Sequence, residues 1–579
     1  MKKTRSDLFL HDMIHNNPGL AIYDSEYRSA HFLKERRYDA KVFDLYDCAQ
    51  YGLLWDRLSE HNHKPPVFPE GSASRSWVLE KKAQLLRDYR DAKASGLRVC
   101  FMMDVIVLPE AVKQQYPEIV NRDGKIDICA PAMEQILDCM FEEMFYEFPQ
   151  IDGIYIRYGE TYVGPEYNTP WHTGNNPIQG EEVQYHRYLM EYLIKTVCTR
   201  YQKDVYYRTW GFGDFQHNPE TYLRISSQIP VHEHFYFCIK HTTGDFHRTF
   251  IFNQCLNIGR HKQIVEVQAA REYEGKGAYP NYIAAGVIHG FEEYKWQMDQ
   301  SQTQCLADVV NAESSLIAGI WTWSRGGGWD GPYINGRNGK DGAVTVPEGK
   351  ELWADINAYV VGQWAKDTSH SDRYYAEQYA RNILKMSEKD VAIFYEICQL
   401  SARAVLFGRG RNSPSYELDV FFTRDQNIDY PKILHSLKHA QQLATDDVLL
   451  YEKRRSVELW SEMVELAQLL DDRCEIKNYI VMTCQYGYYL YALYEQIFLG
   501  NILALRGGRQ AEVTQCVEAY ERLWSQWRQL YEKTPGCPTL FVKENVIQDL
   551  IGYTGNRGLD SAIDPLRKLD DNGKLSLEF

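Results

Sequence analysis

The stretch that decides the fold is PAMEQILDCMFEEMFYEFPQIDGIYIRYGE, residues 131–160. Its first half places Met133, Ile136, Leu137, Met140, Phe141 and Met144 at the spacing of one helix face, behind a proline suited to a first helical turn. Its second half alternates, with Ile154 and Ile156 on one side, as a strand does. A helix running into a strand is the repeating unit of an α/β fold. The strand then ends in Arg157, Gly159 and Glu160. A carboxylate at the mouth of an apolar strand is costly to desolvate unless it is paired, exposed or put to use.

Outward from this stretch the alternation recurs. Strand-like runs begin at Asp7 (DLFLHDMIH), Ala40, Leu97, Asp152, Asp204, Ile229 (IPVHEHFYF), Gln263 and Ser315 (SLIAGIWTWS), with helical stretches between them. Eight such runs predict a (β/α)8 TIM barrel, with a doubly wound open sheet as the alternative. After the glycine-rich GGGWDGPYINGRNGKDG, from Gly326, the periodicity turns helical, as in SVELWSEMVELAQLL, where Val457, Trp460, Val464, Ala467 and Leu470 share a face. The expected organisation of the 579 residues is a barrel over 1–345 and an all-α helical domain over 346–579.

The net charge of -15 and the lack of a Lys/Arg cluster argue against nucleic acid as a partner. The 13 cysteines are spread singly, with no zinc-like spacing, and read as reduced core thiols. No apolar run reaches the roughly 18 residues of a membrane span, and the basic start MKKTRSDLFLHD is interrupted too early for a signal peptide. The expectation is a cytoplasmic protein with no membrane, metal or cofactor partner.

In a barrel the chemistry lies at the C-terminal strand ends. The first strand offers His11 and Asp12, the third Asp104, the fourth Arg157 and Glu160, and the fifth Arg208 and Trp210. The sixth offers Glu233, His234, Tyr236 and Lys240, the seventh Glu272, and the eighth Trp323, Arg325 and Trp329. Carboxylates, cations and indoles on one rim suit a sugar: acids for a glycosidic bond, cations for an acidic sugar, indoles for its apolar face. Glu160 and Glu272, on opposite sides of the mouth, are the candidate catalytic pair.

The segment RYGETYVGPEYN resembles the general-acid motif of the α-glucuronidases of glycoside hydrolase family 67, which makes Glu160 the acid. VYYRTWGF is similar to that family's next strand, whose arginine approaches the uronate carboxylate, which carries that role to Arg208. IVEVQAAREYEGKG resembles the strand whose catalytic carboxylate falls on Glu272, and ADINAYVVGQWAKDTSHSDRYYAEQYARNIL the start of the family's helical domain. The resemblance implies an exo-acting hydrolase that removes an α-linked uronic acid from an oligosaccharide with inversion, acting as a homodimer without a cofactor. Two departures stand out: the family's N-terminal β-sandwich is missing, and its sixth-strand aspartate has no evident counterpart in HEHFYFCIKHTTGDF, where Tyr236 falls nearest and Glu233 could stand in. A neutral or N-acetylated sugar, with retention, and a non-catalytic carbohydrate-binding protein are the rival readings. Retention needs about 5 to 5.5 Å between the carboxyls and inversion about 6.5 to 9.5 Å.

Overall fold

The computed structural model describes residues 8–15, 25–158, 161–175, 183–211, 213–327, 334, 351–413, 430–550 and 553–569. Eight parallel strands close into a barrel: β1 (Phe9–His15), β2 (Ala40–Phe43), β3 (Arg98–Asp104), β4 (Gly153–Arg157), β5 (Asp204–Arg208), β6 (Phe235–Lys240), β7 (Gln263–Gln268) and β8 (Ile317–Gly326). A helical region follows, so the chain is a (β/α)8 barrel with a helical C-terminal part.

Period-2 alternation sorts the strand side chains between two cores. Inward-facing Tyr236, Tyr206, Tyr155 and Trp321 fill the barrel, with Tyr155 stacked on Tyr206 at 4.4 Å and Tyr206 on Tyr236 at 5.1 Å. Outward-facing Phe101, Ile154, Ile156, Val205 and Val265 meet the helices. These helices include α1 (Ala30–Glu35), α2 (Ala73–Ala94), α3 (Pro131–Glu147), α4 (Val183–Leu193), α5 (Pro219–Ser226) and α6 (Ala284–His289). Ser72 caps α2 by accepting from the Arg75 amide, and α3 opens on Pro131, whose missing N–H costs nothing in the first turn.

The strict alternation of strand and helix fails once. Between β6 and β7 no α-helix intervenes, and residues 241–262 form a loop folded back on the strand, with the Asn253 amide donating to the His241 carbonyl at 2.9 Å. After β8, helix α7 (Leu352–Lys366) packs on β8 and β1, with Lys366 Nζ donating to the Leu8 carbonyl at 3.2 Å. Then come α8 (Asp372–Asn382), α9 (Glu388–Arg409), α10 (Tyr430–Gln442), α11 (Asp446–Gln468), α12 (Lys477–Arg506) and α13 (Gln510–Lys533). Helix α9 is long and apolar enough to cross a membrane, but most of that apolar length is buried, much of it against α11. All thirteen cysteines are free thiols.

Candidate active site

The C-terminal mouth of the barrel is built around the ends of β5 to β8. At the end of β6, Lys240 Nζ donates to Asp245 Oδ1 at 2.7 Å and stands 3.3 Å from the centre of the Trp210 ring, a cation–π contact. Phe246 and Trp323 extend this wall, with the Lys240 ammonium 4.6 and 5.9 Å from their ring centres and the two rings edge to face at 5.6 Å. Such a surface offers an apolar face to a sugar ring and a charged edge to its hydroxyls.

Beside it, β7 supplies the carboxylate. The Glu272 amide donates to Gln268 Oε1 at 2.5 Å, so the side chain that ends the strand sets the turn that carries Glu272. Gly327 closes over it at φ +78°, where a Cβ would lie 2.1 Å from Glu272 Oε2. Only glycine permits that approach. Tyr273, the next residue, donates its phenol to Asp245 Oδ2 at 3.3 Å, which links the β6 and β7 loops.

Across the mouth, Asp104 and Arg157 stand in register at the ends of β3 and β4, both buried. Tyr46 lies within their field: burial pushes its phenol well above the ordinary range, the Arg157 guanidinium pulls it back, and Asp44 and Asp104 push with the burial. Glu160 and Trp329 lie outside the described residues. Among the described residues no group of three or more His, Cys, Asp or Glu side chains is placed to hold a metal ion.

The structure redistributes several residues that the strand ends suggest. The alternation predicts a sixth strand over 229–237, but β6 starts at Phe235, so Glu233 and His234 precede it. With Tyr236 they border a depression of about 390 Å³ at the opposite, N-terminal end of the barrel, where His234 Nδ1 bonds Asp204 at 2.7 Å. They are remote from the mouth that Lys240 reaches. The first strand runs on to His15, which leaves His11 and Asp12 in mid-strand. His11 points inward, its Nδ1 2.7 Å from the Tyr155 hydroxyl, and burial drags its imidazole down to about 3, so it stays neutral. Asp12 points outward and accepts from Thr322 Oγ1 at 2.5 Å and from the Ser324 amide and hydroxyl at 3.1 and 2.7 Å.

Two cations are committed elsewhere. Arg208 gives its fork to Glu266, Nε at 3.1 Å and Nη2 at 2.7 Å, with both side chains cut off from water. This bidentate pair commits the Nε and Nη2 donors of Arg208 to Glu266. Arg325 turns out of the mouth towards Glu351, with 3.4 Å between Nε and Oε1. Asp245, Phe246, Gln268 and Tyr273 complete the site without having been strand-end candidates. The signal for Asp245 was the HTTGDF run itself, once the sixth strand is framed as FYFCIK.

No protein-family model matches the sequence, and no curated protein matches it. Among solved structures, a GH138 enzyme targeting pectin rhamnogalacturonan II aligns with a TM-score of 0.55 and 11% identity over 97% of this chain and 67% of its own. An O-GlcNAc hydrolase mutant from Thermobaculum terrenum aligns at 0.35, with 10% identity over 92% of this chain and 95% of its own. A Flavobacterium johnsoniae chitobiase aligns at 0.30, with 12% identity over 90% and 78%. The first likeness shows a shared fold, and the weaker two add nothing to it. The first neighbour is a glycoside hydrolase, and what this chain has in common with it is the fold.

Proposed function

We propose that this chain is an exo-acting glycoside hydrolase that removes a terminal sugar from an oligosaccharide bound at the C-terminal mouth of the barrel. The observation that carries the reading is the junction of Asp245 and Glu272 through Tyr273, beside the wall of Trp210, Lys240, Phe246 and Trp323. Glu160 is the general acid by its resemblance to the family 67 motif. Glu272 acts as base, with Asp245 in the place of the sixth-strand aspartate, a pair suited to orienting a water for attack with inversion.

The resemblance favours a uronic acid. Arg157, buried at the mouth end of β4 beside Asp104, would meet its carboxylate. The ion pairs Arg208–Glu266 and Lys240–Asp245 favour the second reading, a neutral or N-acetylated sugar, because both cations already carry a carboxylate counter-charge.

A screen of aryl α- and β-glycosides, with glucuronides, galacturonides and a pectic oligosaccharide included, tests the proposal. The expected result is turnover of one class, lost by a factor of about 10³ or more in Glu160→Ala and Glu272→Ala. Turnover of neutral glycosides alone removes the uronide reading. Activity that survives both substitutions removes the hydrolase mechanism, and sugar binding without turnover of any glycoside supports the non-catalytic reading.

A further inference from the structure

The loop after β7 is buried along residues 269–282 and carries strained backbone. Arg271 holds φ 55°, and Gly275 holds φ +95° where a Cβ would fall 2.3 Å from the Tyr279 ring. Strain of this kind persists only where the surroundings enforce it. The enforcing contacts come from the helical region. Arg409, the buried last residue of α9, donates from Nη1 to the Tyr273 carbonyl at 3.1 Å and from Nε to the Tyr279 and Tyr491 phenols at 3.1 and 3.2 Å.

A second tie runs in parallel. The Arg248 amide donates to Glu274 Oε1 at 2.5 Å, while Arg248 Nη1 donates to the Ala402 carbonyl of α9 at 2.9 Å. Burial alone would push the Glu274 carboxyl up, but the adjoining Arg271 guanidinium holds it down at about 2, so this acceptor stays ionised. Helix α9 therefore grips both loops of the mouth, the one with Asp245 and the one with Glu272. They meet at Tyr273, whose ring also stacks on His247 at 4.6 Å with 12° between the planes.

We propose that Tyr273 is a positioning residue, held by Arg409 from the helical region, that sets the placement of Asp245 against Glu272 across the mouth. This rests on the reading of those two carboxylates as reacting groups. An error of about 1 Å in such a placement costs on the order of 100-fold in rate, so a single phenol can matter without touching the sugar.

The test measures kcat and KM on the aryl glycoside that the wild type cleaves, with thermal melting alongside. Tyr273→Phe, which deletes one hydroxyl, is expected to lower kcat about 10-fold with KM within about 2-fold and an unshifted melt. In an Asp245→Asn background the same change is expected to cost nothing more, because its acceptor has lost its charge and role. Arg409→Lys keeps the charge but cannot reach a carbonyl and two phenols together, and is expected to lower kcat in the same way. Wild-type kcat in Tyr273→Phe, or a loss that adds in full to that of Asp245→Asn, overturns the inference. Wild-type turnover in both Asp245→Asn and Glu272→Gln would instead overturn the carboxylate reading beneath it.

Discussion

Replacing Glu266 by glutamine tests whether Arg208 is structural or waits for substrate. The pair is desolvated, with the Trp321 and Trp323 ring centres 5.4 and 5.5 Å from the guanidinium carbon. Glutamine keeps the shape and removes the charge. The guanidinium cannot shed its proton, so the variant buries a cation without a counter-charge, at a cost of about 3 to 5 kcal/mol at any pH near neutrality.

Arg208→Met strands the opposite partner. It leaves Glu266 buried without its counter-charge, again at a cost of about 3 to 5 kcal/mol. Arg208→Met with Glu266→Leu removes both charges and returns most of the stability. Urea midpoints, followed by near-ultraviolet circular dichroism of the flanking indoles, measure all three. An unchanged midpoint in Glu266→Gln or in Arg208→Met would refute the desolvated pair. If Arg208 instead binds a substrate carboxylate, Arg208→Met raises KM for uronides and leaves neutral glycosides unaffected.

Two more outcomes follow from the same geometry. Burial raises the Asp12 carboxyl from 3.8 to about 7, against the pull of Thr322 and Ser324. The stability tied to its proton is complete below about pH 4 and lost as pH rises through 7, a change of up to about 4 kcal/mol that Asp12→Asn abolishes in urea midpoints across that range; an unflattened profile would show Asp12 ionised throughout. Trp323→Ala removes a ring of the mouth wall and is expected to raise KM about 10-fold with a smaller effect on kcat, whereas unchanged kcat and KM would place Trp323 outside the sugar site.

The barrel was legible because each strand is a short run rich in β-branched and aromatic residues bounded by turns, and a closed parallel sheet under helices buries both faces of every strand in the same way. The sixth strand shows where this fails. Ile229 and Val231 have the residue types of a strand, yet Val231 is 54% exposed and the ladder begins only at Phe235. Residue type reports fitness for a pleated surface, and only partner strands decide which run obtains one. The frame then settled everything downstream: shifted by six residues, it sent Glu233 and His234 to the wrong end of the barrel and left Asp245 in an apparent connector.

The eighth strand hid a different kind of information. Its inward residues Trp321 and Trp323 pair with His11 and Met13, and strict alternation would next turn Arg325 into the mouth. Instead the register shifts between Met13 and Ile14, so that Ile14 faces Arg325 and Ser324 becomes the extra residue of a bulge. Asp12 is what holds that bulge, since it takes both the Ser324 amide and the Ser324 hydroxyl. A residue that looks like a substrate ligand on the first strand thus acts on the eighth. By fixing the bulge it directs Arg325 to Glu351 at the helical region and lets the chain turn into Gly327 over Glu272. Neither step is written in the local pattern of either strand, because a bulge belongs to the pairing of two strands 310 residues apart.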